Sequence, residues 1–293
     1  DEKNDKSLVW EAYFIYDLEL MAKMATVLGK VTDAEWFREL HAARKDFFNK
    51  TYIEPETGKT LFSAFVPEKK GSHIDIQTSY VLPLAFNIID EENRNKVIAN
   101  LAETVRRENT TDRGQQCPSY SLMTGFIGTS WINKALSDYG HSDLAYRLLQ
   151  QTSYPSWLYS IEQGATTIWE RLNSYTRTDG FGGNNRMNSF NHYSFGAVGA
   201  WMYNYSLGIQ RDETFPGFKQ FVLKPMPDPT GKMTYARGYY DSMYGRIESG
   251  WKVESGVIRY TFTVPANTTA ILYLPAASLR DVREKTKPVR KCK

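Results

Sequence analysis

The densest chemical potential in this 293-residue chain lies in ten residues, Glu162-Gln-Gly-Ala-Thr-Thr-Ile-Trp-Glu170-Arg171. Small residues before an aromatic ring and a carboxylate let backbone approach a ligand closely, which suits a pocket floor. An ionised Glu170 within hydrogen-bond reach of a water would act as a general base. Residue type alone leaves a second reading open, an Arg171–Glu170 pair on a helix surface, because a perturbed environment is what marks a functional carboxylate.

A second cluster, Met187-Asn-Ser-Phe-Asn191-His192-Tyr193, brings two amides, a hydroxyl, an imidazole and two rings into one short span ahead of a helical pattern. The inventory suits recognition of sugar hydroxyls. It equally suits an N-cap, with Asn188, Ser189 or Asn191 accepting free helix amides and His192 bonded in the core. Tyr154, Trp157, Tyr159 and Tyr175 would wall a sugar site or pack between helices, and spacing favours the core. His41, His73 and His141 read as ordinary helix or loop histidines. No His-Glu-x-x-His, phosphate-loop or Gly-x-Ser-x-Gly pattern occurs, so metal ligation, phosphate binding and a nucleophile elbow find no support.

These residues need a scaffold, and the apolar spacing is helical over most of the chain. Val9, Ala12, Tyr13, Tyr16, Leu20, Met24 and Val27 recur at mostly three- and four-residue steps within 8–29, with Gly29 as the stop. A partner helix is expected after Thr32 or Asp33, both good N-caps, burying Trp36, Leu40, Ala43 and Phe47. A loop with a small strand follows over 51–72, then helices over 77–89, 91–107, 126–139 and 142–150, with Gly140 separating the last two. Between 154 and 208 helix fragments are expected around Trp157, Thr167 and 192–207, broken by a Gly/Asn-rich loop at 179–185. Past Pro216, short β-rich runs at 221–223, 233–239, 246–253, 257–264 and 269–274 form an all-β module. The fold class is therefore mainly α with a β module: an α/α toroid, incomplete by helix count, over 1–209, then a small antiparallel β-sandwich with a basic tail over 210–293.

Composition narrows the function. Thirty-six basic and 33 acidic residues give a net charge of +3, too balanced for a nucleic-acid footprint. No stretch approaches the roughly 20 apolar residues of a membrane span. Aromatic residues reach 14%, with 19 Tyr and 7 Trp, and flat amphipathic rings commonly cover the apolar faces of pyranoses. With only Cys117 and Cys292, a disulfide framework is not expected. Residues 1–7 are polar, carry no apolar signal region and indicate no compartment.

On Gly164-Ala-Thr-Thr-Ile-Trp-Glu170 and Asn188-Ser-Phe-Asn-His192 the chain resembles glycoside hydrolase family 78, the bacterial α-L-rhamnosidases. Gln77-Thr-Ser-Tyr80, Thr124-Gly-Phe-Ile-Gly-Thr129, Tyr154-Pro-Ser-Trp-Leu158 and Tyr240-Asp-Ser-Met-Tyr-Gly-Arg246 extend the resemblance over nearly the whole chain. It implies an (α/α)6 barrel followed by a β-sandwich, acting on terminal α-L-rhamnose of a small or oligosaccharide rhamnoside with inversion and no organic cofactor or metal. By motif, Glu170 would be the general base, Trp169 and His192 would lie around the rhamnosyl ring, and Asn191, Arg171 and Trp157 would contribute to the pocket wall.

Inversion also needs an acid about 6.5–9.5 Å from the base. In the family that acid lies in a motif upstream of the segment where this chain begins, and no equivalent stands here. Glu162 and Asp75 are local substitutes without independent support. The expectation is a catalytic-domain piece whose open ring would associate with a missing N-terminal part or with itself. The alternatives are a sugar-binding protein that has lost the acid, or another α/α-toroid glycosidase.

Overall fold

A computed structural model describes residues 5–63, 65, 67–111, 114–183, 186–284 and 287–288. Two compact units meet between Val198 and Gly199. The first is helical, containing α1 (Lys6–Val27), α2 (Val31–Tyr52), α3 (Gln77–Ala85), α4 (Glu91–Arg106), α5 (Gly125–Thr129), α6 (Ile132–Asp138), α7 (Ser142–Gln150) and α8 (Trp157–Glu162). A short hairpin of β1 (Asn109–Thr110) and β2 (Gln116–Cys117) follows α4, and α9 (Val198–Trp201) runs across the division.

The helical hairpins form where the spacing predicts. α1 buries Leu8, Ala12, Ile15, Leu18, Ala22 and Ala25, successive steps of three or four residues that keep one stripe inward. It starts before the expected Leu8 because Asp5 caps it: Oδ1 accepts the Ser7 amide at 2.8 Å, and Oδ2 accepts the Ser63 amide and hydroxyl, both at 2.8 Å. Burial opposes ionisation of Asp5, but these hydrogen bonds prevail and hold its carboxyl below the ordinary range. α2 begins at Val31 behind Lys30 with no side-chain cap bond, so Thr32 and Asp33 lie inside the helix instead of capping it. Trp36 and Phe47 are exposed instead of buried.

Three expected helical segments are interrupted or absent, the first two through partners distant in sequence. The single helix expected over 126–139 is two, α5 and α6, broken where the Trp131 indole donates to the Tyr13 hydroxyl at 3.0 Å and packs edge-on against Phe86 and Tyr16. Around Thr167 there is no helix, because the neighbouring Ile168 carbonyl and Glu170 amide are bonded to 189–192, as described below. The 192–207 segment is a 3-10 turn at Ser194–Ala197, then α9, then a π-helical turn at Met202–Ser206.

Close packing of α3 and α5 depends on Gly128. A Cβ there would sit 2.7 Å from Thr78 Oγ1 and 2.8 Å from Thr124 Cβ. Gln77 of α3 is buried and bonds two further segments at once: Nε2 donates to Thr104 O (3.3 Å) in α4 and to Ser121 O (2.9 Å), and Oε1 accepts the Met123 amide (2.9 Å).

The second unit holds β3 (Ile209–Arg211), β4 (Gln220–Leu223), β5 (Tyr235–Ser242), β6 (Gly245–Glu254), β7 (Val257–Thr263), β8 (Thr269–Leu272), β9 (Arg283–Glu284) and β10 (Lys287–Pro288). One sheet has the order β5-β6-β7 and is antiparallel throughout. The other has the order β3-β4-β8, where β3 and β4 are antiparallel and β4 and β8 are parallel. Leu207, Ile209, Phe221, Leu223 and Ile247 form the core, with Ala236, Phe262 and Ala270 against it. The expected boundary at 209/210 thus falls inside β3, a strand too short to show alternation. Cys117 is buried; Cys292 and most of the basic tail lie outside the described residues. Among the described residues no helix is long and apolar enough to cross a membrane.

Replacing Gln77 by Leu strands the Ser121 carbonyl and the Met123 amide, while the Thr104 carbonyl keeps its bond from Asn109 Nδ2. At about 1–3 kcal/mol for each unsatisfied buried group, partly relieved by relaxation, the variant is expected to lose about 2–4 kcal/mol. Urea denaturation checks this, and a midpoint equal to wild type would show that the three bonds carry no net stability.

Candidate active site

The two chemical clusters of the sequence lie side by side. The Glu170 amide donates to Ser189 O at 2.9 Å, and the Ser189 amide donates to Glu170 Oε2 at 2.9 Å. The His192 amide donates to Ile168 O at 2.8 Å, and the Thr167 hydroxyl donates to Phe190 O. This ladder consumes the groups that would otherwise close a helix around Thr167. It also aims the Glu170 carboxylate, since one oxygen is held by a backbone amide and the other stays available.

The residues after Glu170 are pinned as well. Arg171 Nη2 donates to Asn188 Oδ1 at 2.9 Å, the Arg171 amide donates to Ser174 Oγ at 3.2 Å, and the Ser160 hydroxyl of α8 donates to Leu172 O at 2.7 Å. Gly164, which ends α8 and turns the chain toward this segment, has φ +103°, a conformation that side-chain-bearing residues rarely adopt.

Glu170 and Arg171 line a cavity of about 720 Å³ within the helical unit. The lining also includes Asp75, Gln77, Arg107–Thr111, Leu122 and Met123, with Phe126, Tyr154 and Phe195 supplying rings. The other expected site residues stand outside this lining. Trp169 is only 7% exposed and packs edge-on to Phe190 at 5.1 Å. His192 stacks on Phe126 at 5.0 Å and on Tyr193 at 5.2 Å, and its Nδ1 accepts the Ser194 amide at 3.4 Å, which requires an unprotonated Nδ1. Asn191 is exposed, with its amide on Ser189 Oγ at 3.2 Å. Trp157 is buried and donates its indole N–H to Phe195 O at 2.8 Å, tying α8 to the turn behind the cavity. No helix is capped by Asn188, Ser189 or Asn191: Tyr193 precedes the 3-10 turn without a side-chain cap bond.

Sequence reasoning named Asp75 only as a substitute acid and passed over the residues that engage it. Asp75 shares the cavity with Glu170, and its carboxylate is heavily engaged: Tyr80 OH donates at 2.6 Å, Arg107 Nη1 lies 2.9 Å away and Lys59 Nζ 3.5 Å away. Burial by itself raises its pKa, but the bonds from Tyr80 and Arg107 and the charges of Arg107 and Lys59 outweigh that and hold the carboxyl below 3.8. A group held ionised in this way is a poor proton donor. Burial and the bond to Asp75 push the Tyr80 hydroxyl upward. Glu162 is exposed on α8 and outside the lining. Among the described residues no group of three or more His, Cys, Asp and Glu side chains is disposed to hold a metal ion.

Successive helical hairpins, a cavity bearing carboxylates and a following β module define the general class, an α-hairpin domain of glycosidase type. Family comparison gives the particular lineage. The bacterial alpha-L-rhamnosidase 6 hairpin glycosidase domain matches residues 1–206, and the bacterial alpha-L-rhamnosidase C-terminal domain matches residues 208–288. The chain belongs to the bacterial alpha-L-rhamnosidase family.

An alpha-L-rhamnosidase of Streptomyces avermitilis is 36% identical over 94% of this chain and 24% of its own length, and one of Formosa agariphila is 35% identical over 92% and 26%. The crystal structure of the Streptomyces avermitilis enzyme complexed with L-rhamnose superposes with a TM-score of 0.78, covering 93% of this chain and 24% of that one. The native enzyme of Aspergillus terreus also gives 0.78, at 29% identity over 93% and 29% of the two chains. The chain thus spans about a quarter of the length of the relatives it matches.

Because the folded Asp75 carboxyl titrates below its unfolded value, its contribution to stability is present above pH 3.8 and is lost as pH falls through the folded value. Asp75→Asn should therefore flatten the acid limb of stability below pH 3.8 while lowering stability near neutrality. Thermal melts across that range check this; an acid limb as steep in Asp75→Asn as in wild type would contradict the assignment.

Proposed function

We propose that this chain forms the base-bearing part of an inverting α-L-rhamnosidase, with Glu170 as general base. The observation that carries the reading is the cavity-lining Glu170 carboxylate, held by the Ser189 amide through one oxygen. In this reading a water bonded to the other oxygen loses its proton to Glu170 as it attacks the anomeric carbon, and the glycosidic C–O bond breaks on the opposite face. The leaving oxygen takes its proton from a general acid outside these 293 residues. Asp75 is held ionised by Arg107 and Lys59, and Glu162 lies away from the cavity, so neither fits that role.

Within this reading residues 1–209 carry the catalytic domain and 210–293 scaffold it. His192 contacts the sugar from its stack on Phe126, with Asn191 contributing at the edge; Trp169 and Trp157 position the loops that hold Glu170. The substrate class is a terminal α-L-rhamnoside, as the L-rhamnose complex of the Streptomyces avermitilis relative suggests.

Glu170→Gln is expected to reduce hydrolysis of an aryl α-L-rhamnoside by about 10²–10⁴-fold while L-rhamnose binding persists. Full activity in the variant would remove Glu170 from the base role. Rhamnose binding by wild-type protein without turnover, even with upstream family segments supplied, would instead favour the sugar-binding reading.

One face of α1 bears on assembly. Trp10 is 61% exposed and Phe14 44%, with Met21 and Met24 also exposed, and the first two line a groove with Phe47, Phe62 and Phe65. Such a face favours burial against further helices, and we propose that in isolation it drives self-association. Sedimentation velocity should give a mass above 33.7 kDa for the chain and a shift toward monomer for the Trp10→Glu, Phe14→Glu double variant. A wild-type monomer at tens of micromolar would rule this out.

A further inference from the structure

The cavity presents three carboxylates, Asp75, Glu108 and Glu170, in three different states of engagement. Asp75 is bonded by Tyr80 and Arg107, and Glu170 by the Ser189 amide. Glu108 is exposed, and no described residue gives its carboxylate a hydrogen bond or ion pair.

Its backbone, by contrast, is fixed from both sides. Arg107 Nη2 donates to Asp75 O at 2.8 Å and Nη1 to Asp75 Oδ2. Asn109 Nδ2 donates to Thr104 O at 3.0 Å and to Arg107 O at 3.1 Å, while Asn109 pairs with Cys117 in the rim hairpin. The neighbouring cation is spent on Asp75, so it does not hold Glu108. The result is an uncommitted carboxylate on a pinned backbone, facing the same cavity as Glu170.

A free carboxylate only accepts hydrogen bonds, and its two oxygens can take two adjacent hydroxyls together. The same charge repels an anion brought close to it. Resting on the rhamnosidase reading above, we propose that Glu108 is a specificity-determining residue for the leaving-group side. It selects neutral leaving groups that carry vicinal hydroxyls, a neutral sugar above all, and disfavours leaving groups that carry a carboxylate.

The test is calorimetric titration of the full chain and its Glu108→Gln variant with three probes: methyl α-L-rhamnoside, a rhamnosyl-glucose disaccharide and a rhamnosyl-glucuronate disaccharide. Hydrolysis of an aryl α-L-rhamnoside is followed separately. Glu108→Gln is expected to weaken the neutral disaccharide by about tenfold, leave methyl rhamnoside within about twofold and tighten the glucuronate. Equal effects on all three probes, no effect on any, or no binding of the neutral disaccharide by wild type overturns the proposal. Unchanged affinities with lost disaccharide turnover also overturn it, by making Glu108 a proton donor. The expected pattern in a protein that hydrolyses nothing supports the Glu108 assignment and rejects the hydrolase reading instead.

Discussion

The site depends on the reciprocal bonds between Glu170 and Ser189. A carboxylate on an irregular loop would sample many orientations, and each immobilised side chain costs conformational entropy. Here the cost falls on the backbone ladder, since the amide that fixes the carboxylate belongs to the strand-like segment that the Glu170 amide also grips. The geometry of the Glu170 carboxylate is therefore coupled to the pairing of 167–170 with 189–192, and both segments are anchored behind by α8 through Trp157 and Ser160.

This coupling explains which parts of the molecule could be read from the sequence. α1, α4 and α7 follow their apolar spacing closely, because burial of one stripe against a neighbour decides a helix. The β runs past Pro216 were legible from their β-rich composition, divided by Gly, Pro and Asn. The missed features are those set by distant partners. Trp131 breaks a helix to reach Tyr13, β8 lies parallel to β4 across many residues of chain, and Thr167 leaves helical geometry to bond Phe190. None of these partners is a sequence neighbour.

The candidate site was legible in part. Glu170 stood out by its setting among small residues, and the two clusters that caught attention separately turn out to bond one another. Their roles were less legible: spacing already favours the core for Trp157 while the family resemblance implies sugar contacts for it and Trp169, and in the structure both are buried, Trp157 bonded to Phe195 O and Trp169 against Phe190. Asp75 and Tyr80 were noted separately, but their grouping with Arg107 was missed because the members lie up to 32 residues apart and carry no motif as a set. Its signal was weak but present, an Asp at the mouth of the Gln77-Thr-Ser-Tyr80 segment.

The proposed role of Glu170 as a base toward water, in place of a nucleophile, would fix the stereochemical outcome, and the outcome can be read directly. When protein carrying this chain hydrolyses an aryl α-L-rhamnoside inside an NMR tube, the first-formed sugar should show the β-anomeric proton signal, with the α signal growing only as mutarotation proceeds. An α-anomer formed first would mean retention and a covalent intermediate, and would contradict the role assigned to Glu170.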